Sequence, residues 1–318
     1  MVSPALILPP EPDERWQQAA QMGVEDAVIH PLEIGDGRTH WTYDDLLGLS
    51  NWLSEVGIDF SVLEGSVPIS DTIRLGREGR DEDIEVFKQF LRDCGDVGIE
   101  TVCYDWMIGV RWARTKAFVE SRGGSYVTAF DIDDLGDRQA DMDVTHEEVW
   151  DALEYFLNEV IPVAEEAGVK LGLHPDDPPR ESLNGVPRIV TSVDAYDRLL
   201  DLHPSEHNGI TFCQGNFAAM GADIPDAIEH FGDRIHFVHF RDVEGDSDRF
   251  VETWHDEGPT DMLAAMDAYE RFVGSDVPIR PDHVPTMAGE DNSNPGYHME
   301  GRLFAVGYMV GLLEAVRS

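Results

Sequence analysis

Lysine is nearly missing from this chain: only Lys88, Lys116 and Lys170 occur among 318 residues. Lysine and arginine together number 23 against 63 aspartates and glutamates, for a net charge of −40. Such a field repels nucleic acid and anionic membrane surfaces, so neither is an expected partner. The acids are spread along the chain rather than gathered in a tail, which marks a folded acidic surface. That pattern fits adaptation to high salt, where screening is short-ranged; an unusually acidic mesophilic protein is the alternative. Cysteine is scarce too. Cys94, Cys103 and Cys213 are too few, and odd in number, for a disulfide framework. Cys94 and Cys103 fall inside a predicted helix and strand and read as small buried hydrophobes. There is no run of 18 apolar residues; the longest, 303–316, is broken by Gly307, Tyr308, Gly311 and Glu314. The first residues lack the basic start and long apolar stretch of a signal peptide, so a cytoplasmic location is expected. Also missing are the phosphate-loop, dinucleotide-fold and G-x-S-x-G patterns, which turns attention to metal-assisted acid–base chemistry.

What is present is a rhythm. Eight apolar runs, at 5–8, 26–30, 58–64, 100–106, 170–174, 209–213, 234–240 and 277–282, read as strands. Most are continuous, as in strands covered on both faces. Helical patterns lie between them at 81–97, 145–168, 192–202, 224–231, 259–273 and 301–316. The sequence Thr-His-Glu-Glu at 145–148 places Thr145 three residues before Glu148, as in a capping box. Alternation of this kind implies parallel βαβ units. Eight units imply a single (β/α)8 TIM barrel over residues 1–318, with an open doubly wound sheet as the alternative. Two long irregular stretches, about 106–141 and 283–299, follow strand ends and are expected to overhang the active face.

Four ligand-type residues close four successive strands: His174, Cys213, His239 and Asp282. Strand ends of a parallel barrel open on one face, so these side chains could converge on one divalent cation. A structural histidine and a core cysteine are the competing readings for His174 and Cys213. His236 and His239 share a strand at odd spacing, so only one can face the barrel interior; His239, nearer the strand's end, is the expected ligand. Prolines stiffen the chain after His174, and an aspartate of HPDDPP could orient its imidazole. Arg241 is a candidate for binding a substrate carboxylate bidentately, with a surface ion pair as the alternative. His255 and Asn216 are further candidates for substrate contact, and Asp261 is placed to cap a helix. Asp282 and His283 can divide labour, the carboxylate binding metal and the imidazole moving protons. By ligand softness alone, two histidines, an aspartate and a thiolate suggest zinc.

From about Ile58 onward the chain resembles the mannonate dehydratase family, sugar-acid dehydratases on a xylose-isomerase-like barrel. The segments that carry the resemblance include EGSVPISDTIRLG, RWART, LHPDDPPRESLNGVPRI, CQGN, IHFVHFRDV, ETWHDEGPTDM, RPDH and NPGYHMEGRLFAVGYMVGL. The resemblance implies dehydration of D-mannonate to 2-keto-3-deoxygluconate in hexuronate catabolism. It implies a Mn²⁺ site at His174, Cys213, His239 and Asp282, with Zn²⁺, Fe²⁺ or Co²⁺ as the other candidate ions. Proton transfer maps onto His283 and Tyr297, which of them is acid and which base being left open. The expected partner is a small-molecule sugar acid, and a homo-oligomer is left open. The sequence departs from the family over its first 50 residues and at Val284-Pro285 after RPDH. A metal-dependent sugar isomerase or epimerase on the same barrel is the alternative enzyme, and a non-catalytic sugar-acid binder the alternative to an enzyme.

Overall fold

The computed structural model describes residues 1–30, 40–65, 67–136 and 142–318. Eight parallel strands close into a barrel: β1 (Val2–Leu8), β2 (Asp26–Ile29), β3 (Asp59–Glu64), β4 (Thr101–Asp105), β7 (Lys170–His174), β10 (Asn208–Cys213), β11 (Ile235–Phe240) and β14 (Val277–Pro281). Each expected strand is present to within two or three residues at its ends. The reason is visible in β10 and β11, in which every residue is buried. A strand with barrel interior on one face and helices on the other has no solvent side to interrupt its apolar run.

The helices outside the barrel are α1 (Glu14–Gln21), α2 (Tyr43–Glu55), α3 (Asp71–Arg74), α4 (Arg80–Val97), α5 (His146–Ala167), α6 (Val193–Leu202), α7 (Gln214–Ala219), α8 (Ile224–Phe231), α9 (Met262–Phe272) and α10 (Met299–Arg317). All six expected helices form, and α1, α2, α3 and α7 are additions. Local chemistry sets their starts. Thr145 and Glu148 exchange the capping-box bonds at α5, and Asp261 accepts from Ala264 N at α9. The α4–α5 pair packs on the barrel through aromatic contacts. The Phe156 ring lies 5.2 Å from both Phe87 and Trp106. Burying each such side chain stabilises the fold by roughly 1.5–3 kcal/mol.

The stretch expected to be irregular after β4 carries two strands. Strands β5 (Lys116–Glu120) and β6 (Tyr126–Asp131) join β12 (Val243–Gly245) and β13 (Arg249–Glu252) in an antiparallel sheet, ordered β12-β13-β6-β5. Residues 137–141 of that expected loop lie outside the described residues. A two-stranded ladder of β8 (Ser182–Leu183) and β9 (Val186–Pro187) follows β7. The second long loop, after β14, carries only an isolated bridge from Thr286 to Tyr126 before α10 begins.

The barrel interior is filled by Ala5, Ile7, Val28, Val62, Cys103 and Phe237. Two residues further along their strands, Glu64 and His239 end this apolar plug. The plug closes the barrel below, so chemistry is confined to the mouth where the strands end.

Candidate active site

His239 stands at the centre of the mouth. Its register neighbours are Cys213 on β10 and Arg280 on β14. His236, at odd spacing, points outward and bonds through Nδ1 to Leu171 O at 2.9 Å. Ligand atoms of His174, Cys213 and His239 all lie within 4.8 Å of one another, and all three residues are buried. His174 Nδ1 is 2.7 Å from Pro175 O. A carbonyl can only accept, so the proton sits on Nδ1 and the Nε2 lone pair is free for a ligand. Burial holds the His174 pKa below its ordinary value, which keeps the ring neutral. Neither buried ring nitrogen of His239 makes a well-directed hydrogen bond; Nε2 lies 3.2 Å from Glu64 Oε1, and Nδ1 lies 3.7 Å from Asp282 Oδ2. Such groups are costly unless something else occupies them. A divalent cation fits this donor set.

Asp282 adjoins the three rather than joining them closely. Its Oδ2 is 3.7 Å from His239 Nδ1. Arg280 Nη1 donates to its Oδ1 at 2.8 Å, and Arg241 Nε lies 3.1 Å from Oδ2. Burial raises its pKa, but His283, Arg280, His239 and Arg241 more than offset this and hold it well below the usual range. A second group, Glu64, Cys103 and His239, also comes within 4.8 Å. Its thiol is poorly suited: burial, with Glu64 nearby, pushes the Cys103 pKa well above the ordinary range, so it keeps its proton. Glu64 is itself held by Arg280, at 2.8 and 2.5 Å.

Next to this cluster runs a chain of hydrogen bonds. His283 Nε2 is 2.9 Å from Tyr297 Oη, and its Nδ1 is 2.9 Å from Glu252 Oε1. β14 ends at Pro281, and His283 adopts a positive φ of 33°. Leaving the strand at that point puts Asp282 and His283 on the same pocket, which strict alternation would forbid. Trp112, on the wall of the same pocket, also takes a positive φ, of 35°. Burial raises the Glu252 pKa, but Arg241, His283 and Arg114 bring it down to about 2. Glu252 is therefore an anion, and its Oε1 is shared: it takes a bond from Arg114 Nη2 at 2.8 Å and lies 2.9 Å from His283 Nδ1, with Arg114 Nη2 itself 3.1 Å from that nitrogen. Because Arg114 Nη2 already donates to the carboxylate, we assign the Nδ1 proton to the bond with Glu252, and Nε2 accepts from the Tyr297 phenol. Burial, reinforced by Asp282, raises the Tyr297 pKa, so the phenol stays protonated. Both residues line a cavity of about 600 Å³ at the barrel mouth, together with Glu64, Trp112, Arg114 and Arg302.

The three expected substrate contacts are placed differently. Arg241 is buried and its donors face protein groups. Nη1 bonds both Glu252 oxygens at 2.8 and 2.9 Å, Nη2 bonds Asp177 at 3.1 Å and Asn216 Oδ1 at 2.6 Å, and Nε bonds Cys213 Sγ at 3.4 Å. No donor is left for a substrate carboxylate. Asn216 is engaged by Arg241 and by Asp176 O at 3.2 Å. His255 is fully buried behind β11, bonded to Phe240 O at 2.8 Å, with burial lowering its pKa to about 4. The aspartates of HPDDPP also differ from expectation. Pro175 O orients His174, while Asp176 binds Arg188 at 2.9 Å and Asp177 binds Arg114 at 2.6 Å. Gly215 belongs to this arrangement, since a Cβ there would lie 2.8 Å from the Arg241 guanidinium.

Glu252, Arg114 and Glu64 were not singled out by sequence, and Asp177 was offered only as a partner for His174. Glu252 opens the segment ETWHDEG and Arg114 lies in RWART, both within the stretches that carry the resemblance. Their geometry depends on β13 and β6 folding over the mouth.

A closed parallel barrel with two histidines and a thiol clustered at its mouth, beside a hydrogen-bonded histidine and tyrosine, has the xylose-isomerase-like architecture. A structure of L-ribulose 3-epimerase shares that fold, with a TM-score of 0.61 at 13% identity over 100% of this chain and 96% of the other. The chain belongs to the D-mannonate dehydratase (UxuA) family, whose model matches residues 15–144 and 139–318. Mannonate dehydratase 2 of Halalkalibacterium halodurans is 36% identical over 92% of each chain. The Thermotoga maritima mannonate dehydratase is 33% identical over 92% of this chain and 91% of its own. The crystal structure of mannonate dehydratase from Streptococcus suis serotype 2 superposes with a TM-score of 0.91 at 31% identity, covering 99% of this chain and 95% of the other.

Proposed function

We propose that this chain is a hydro-lyase that converts D-mannonate to 2-keto-3-deoxy-D-gluconate and water. The observation that carries the reading is the Glu252–His283–Tyr297 chain, opening into the cavity beside the His174, Cys213 and His239 cluster. His174, Cys213 and His239, with Asp282 beside them, would hold a divalent cation, which the family resemblance points to as Mn²⁺. When bound, such an ion would supply a Lewis acid that stabilises negative charge developing on the substrate.

The chain's own residues supply the proton transfers. His283 Nε2 takes the C2 proton, and the anionic Glu252 at Nδ1 stabilises the imidazolium that forms. Tyr297 gives its phenolic proton to the departing C3 hydroxyl, which leaves as water. The contact of 2.9 Å between the two then returns the proton from His283 to Tyr297 and resets the pair. The enol product becomes the 2-keto acid. Arg241 acts at one remove by fixing Glu252, while Arg114 holds Glu252 and also lies 3.1 Å from His283 Nδ1, so both set the direction of the imidazole.

No helix among the described residues is long and apolar enough to cross a membrane. All three cysteines are free and buried, which fits the cytoplasmic location this reading carries. The test is 2-keto acid formation across a panel of aldonates with Mn²⁺, before and after chelation. Turnover of D-mannonate that stops on chelation is expected. A wild-type protein that forms no 2-keto acid from any aldonate contradicts the reading.

A further inference from the structure

The cavity at the barrel mouth is lined by three arginines, Arg15, Arg114 and Arg302. Arg15 is paired with Asp13 near the surface. Arg114 is clamped by Asp177 and Glu252 at 2.6 and 2.8 Å. Arg302 differs from both. It is 7% exposed, and no carboxylate among the described residues lies within ion-pair distance of it. The other buried arginines, Arg74, Arg188, Arg241 and Arg280, each hold at least one carboxylate. In a chain with 63 acids, an unneutralised buried guanidinium is an exception that needs a reason. Leaving a buried charge unpaired is costly, and the cost is recovered where a ligand of opposite charge enters.

Its position is fixed from two sides. Arg302 lies in the first turn of α10 and donates Nη1 to Ile7 O, at the end of β1, at 3.1 Å. That is the sole hydrogen bond of its guanidinium to the described residues, so its other donors are left to the cavity. The preceding Gly301 presses on the loop that carries His283; a Cβ there would sit 2.4 Å from Pro285 O. The Arg302 guanidinium is 5.5 Å from the centre of the Tyr297 ring. The cation is thus held against the acid–base pair by the same helix start. Burial and the nearby Arg280 lower its pKa to about 10, which still leaves it charged at neutral pH.

We propose that Arg302 is the specificity-determining residue that binds the substrate's carboxylate, and so selects a sugar acid over a neutral polyol. This rests on the dehydratase reading above. Arg241, the sequence's own candidate, has its donors spent on protein. Arg302 supplies a planar, multi-donor guanidinium on the cavity wall beside the reacting groups.

The test compares wild type with Arg302→Gln and Arg302→Lys, each loaded with Mn²⁺. KM and kcat are measured for D-mannonate, and inhibition by D-mannitol, the same skeleton without the carboxylate. Arg302→Gln should raise KM for D-mannonate about a hundredfold, as for a lost charged hydrogen-bond pair, with a much smaller change in kcat. Inhibition by D-mannitol should shift by less than about threefold, because a neutral ligand gains little from the charge. Arg302→Lys keeps the charge and should recover part of the loss; it also carries the test if the glutamine variant does not fold. An unchanged KM overturns the proposal. So does an equal weakening of mannonate and mannitol, which marks a structural role. A wild type that dehydrates no aldonate overturns the dehydratase reading and this inference together.

Discussion

Replacing Arg241 by methionine tests how the site is held. The side chain is buried and bonds Glu252 twice, Asp177, Asn216 and Cys213 once each, with Asp282 at 3.1 Å. Methionine keeps much of the volume and removes the charge. None of the three carboxylates is stripped bare. Glu252 and Asp177 keep Arg114, and Asp282 keeps Arg280. Breaking a buried pair from one side costs about 3–5 kcal/mol, and the remaining arginines place this case at the lower end. The domain should therefore still fold, because total stabilities run roughly 5–15 kcal/mol. The loss should show as a lower urea midpoint with an unchanged slope. It also carries a pH signature. Glu252, held at about 2 by Arg241 together with His283 and Arg114, should titrate higher in the variant. Protonation then relieves the crowded carboxylates, so the gap between variant and wild type should be larger at pH 7 than at pH 4.5. Equal stability at pH 7, within about 1 kcal/mol, would refute the view that Arg241 holds the site together.

Three other outcomes are expected. His239→Ala should lose bound divalent metal, measured by elemental analysis, while its circular dichroism stays that of a folded barrel; full metal content in that variant would remove His239 from the ligand set. His236 and His255 are buried, and burial lowers their pKa values to about 3 and about 4. Unfolded histidine titrates near 6.5, so the unfolded chain takes up protons that the fold refuses. Stability present above that value is lost as pH falls, by about 1.4 kcal/mol per pH unit for each ring. His236→Phe should make the decline between pH 6.5 and 5 shallower by that amount in urea titrations, and an identical slope would contradict the linkage. Net charge of −40 predicts a melting temperature that rises from dilute buffer to molar KCl, and an unchanged melting temperature would count against adaptation to salt.

The barrel was legible because burial on both faces turns each strand into an apolar run, as in ITFC and IHFVHF. The helix α2 left a one-face signal, with Leu46, Leu49 and Leu53 buried, and the family model, which matches from residue 15, extends over it although the motifs that carry the resemblance begin only at about Ile58. The sheet over the mouth left little. It pairs Arg249 with Asp131, 118 positions apart in the chain, and nothing local marks that partnership. The same division runs through the site. His174, Cys213 and His239 could be read from strand ends, because strand direction alone delivers them to the mouth. Arg241 could be read as important, but not as a residue whose donors are all taken by protein groups. Its partner Glu252 arrives on β13, and Asp177 arrives by the turn after β7. The pairing of His283 with Tyr297 likewise depended on a backbone that leaves the strand at the right residue, which φ at His283 records.

The central claim is loss of water driven by the His283–Tyr297 pair. The most direct measurement is the product mass from D-mannonate incubated with metal-loaded wild type, Tyr297→Phe and His283→Asn. The account predicts a product lighter by one water from wild type. It predicts a rate lower by roughly a hundredfold to ten-thousandfold in both variants, with metal content unchanged. A product of unchanged mass, as an isomerase or epimerase would give, or variants that dehydrate at the wild-type rate, would contradict it.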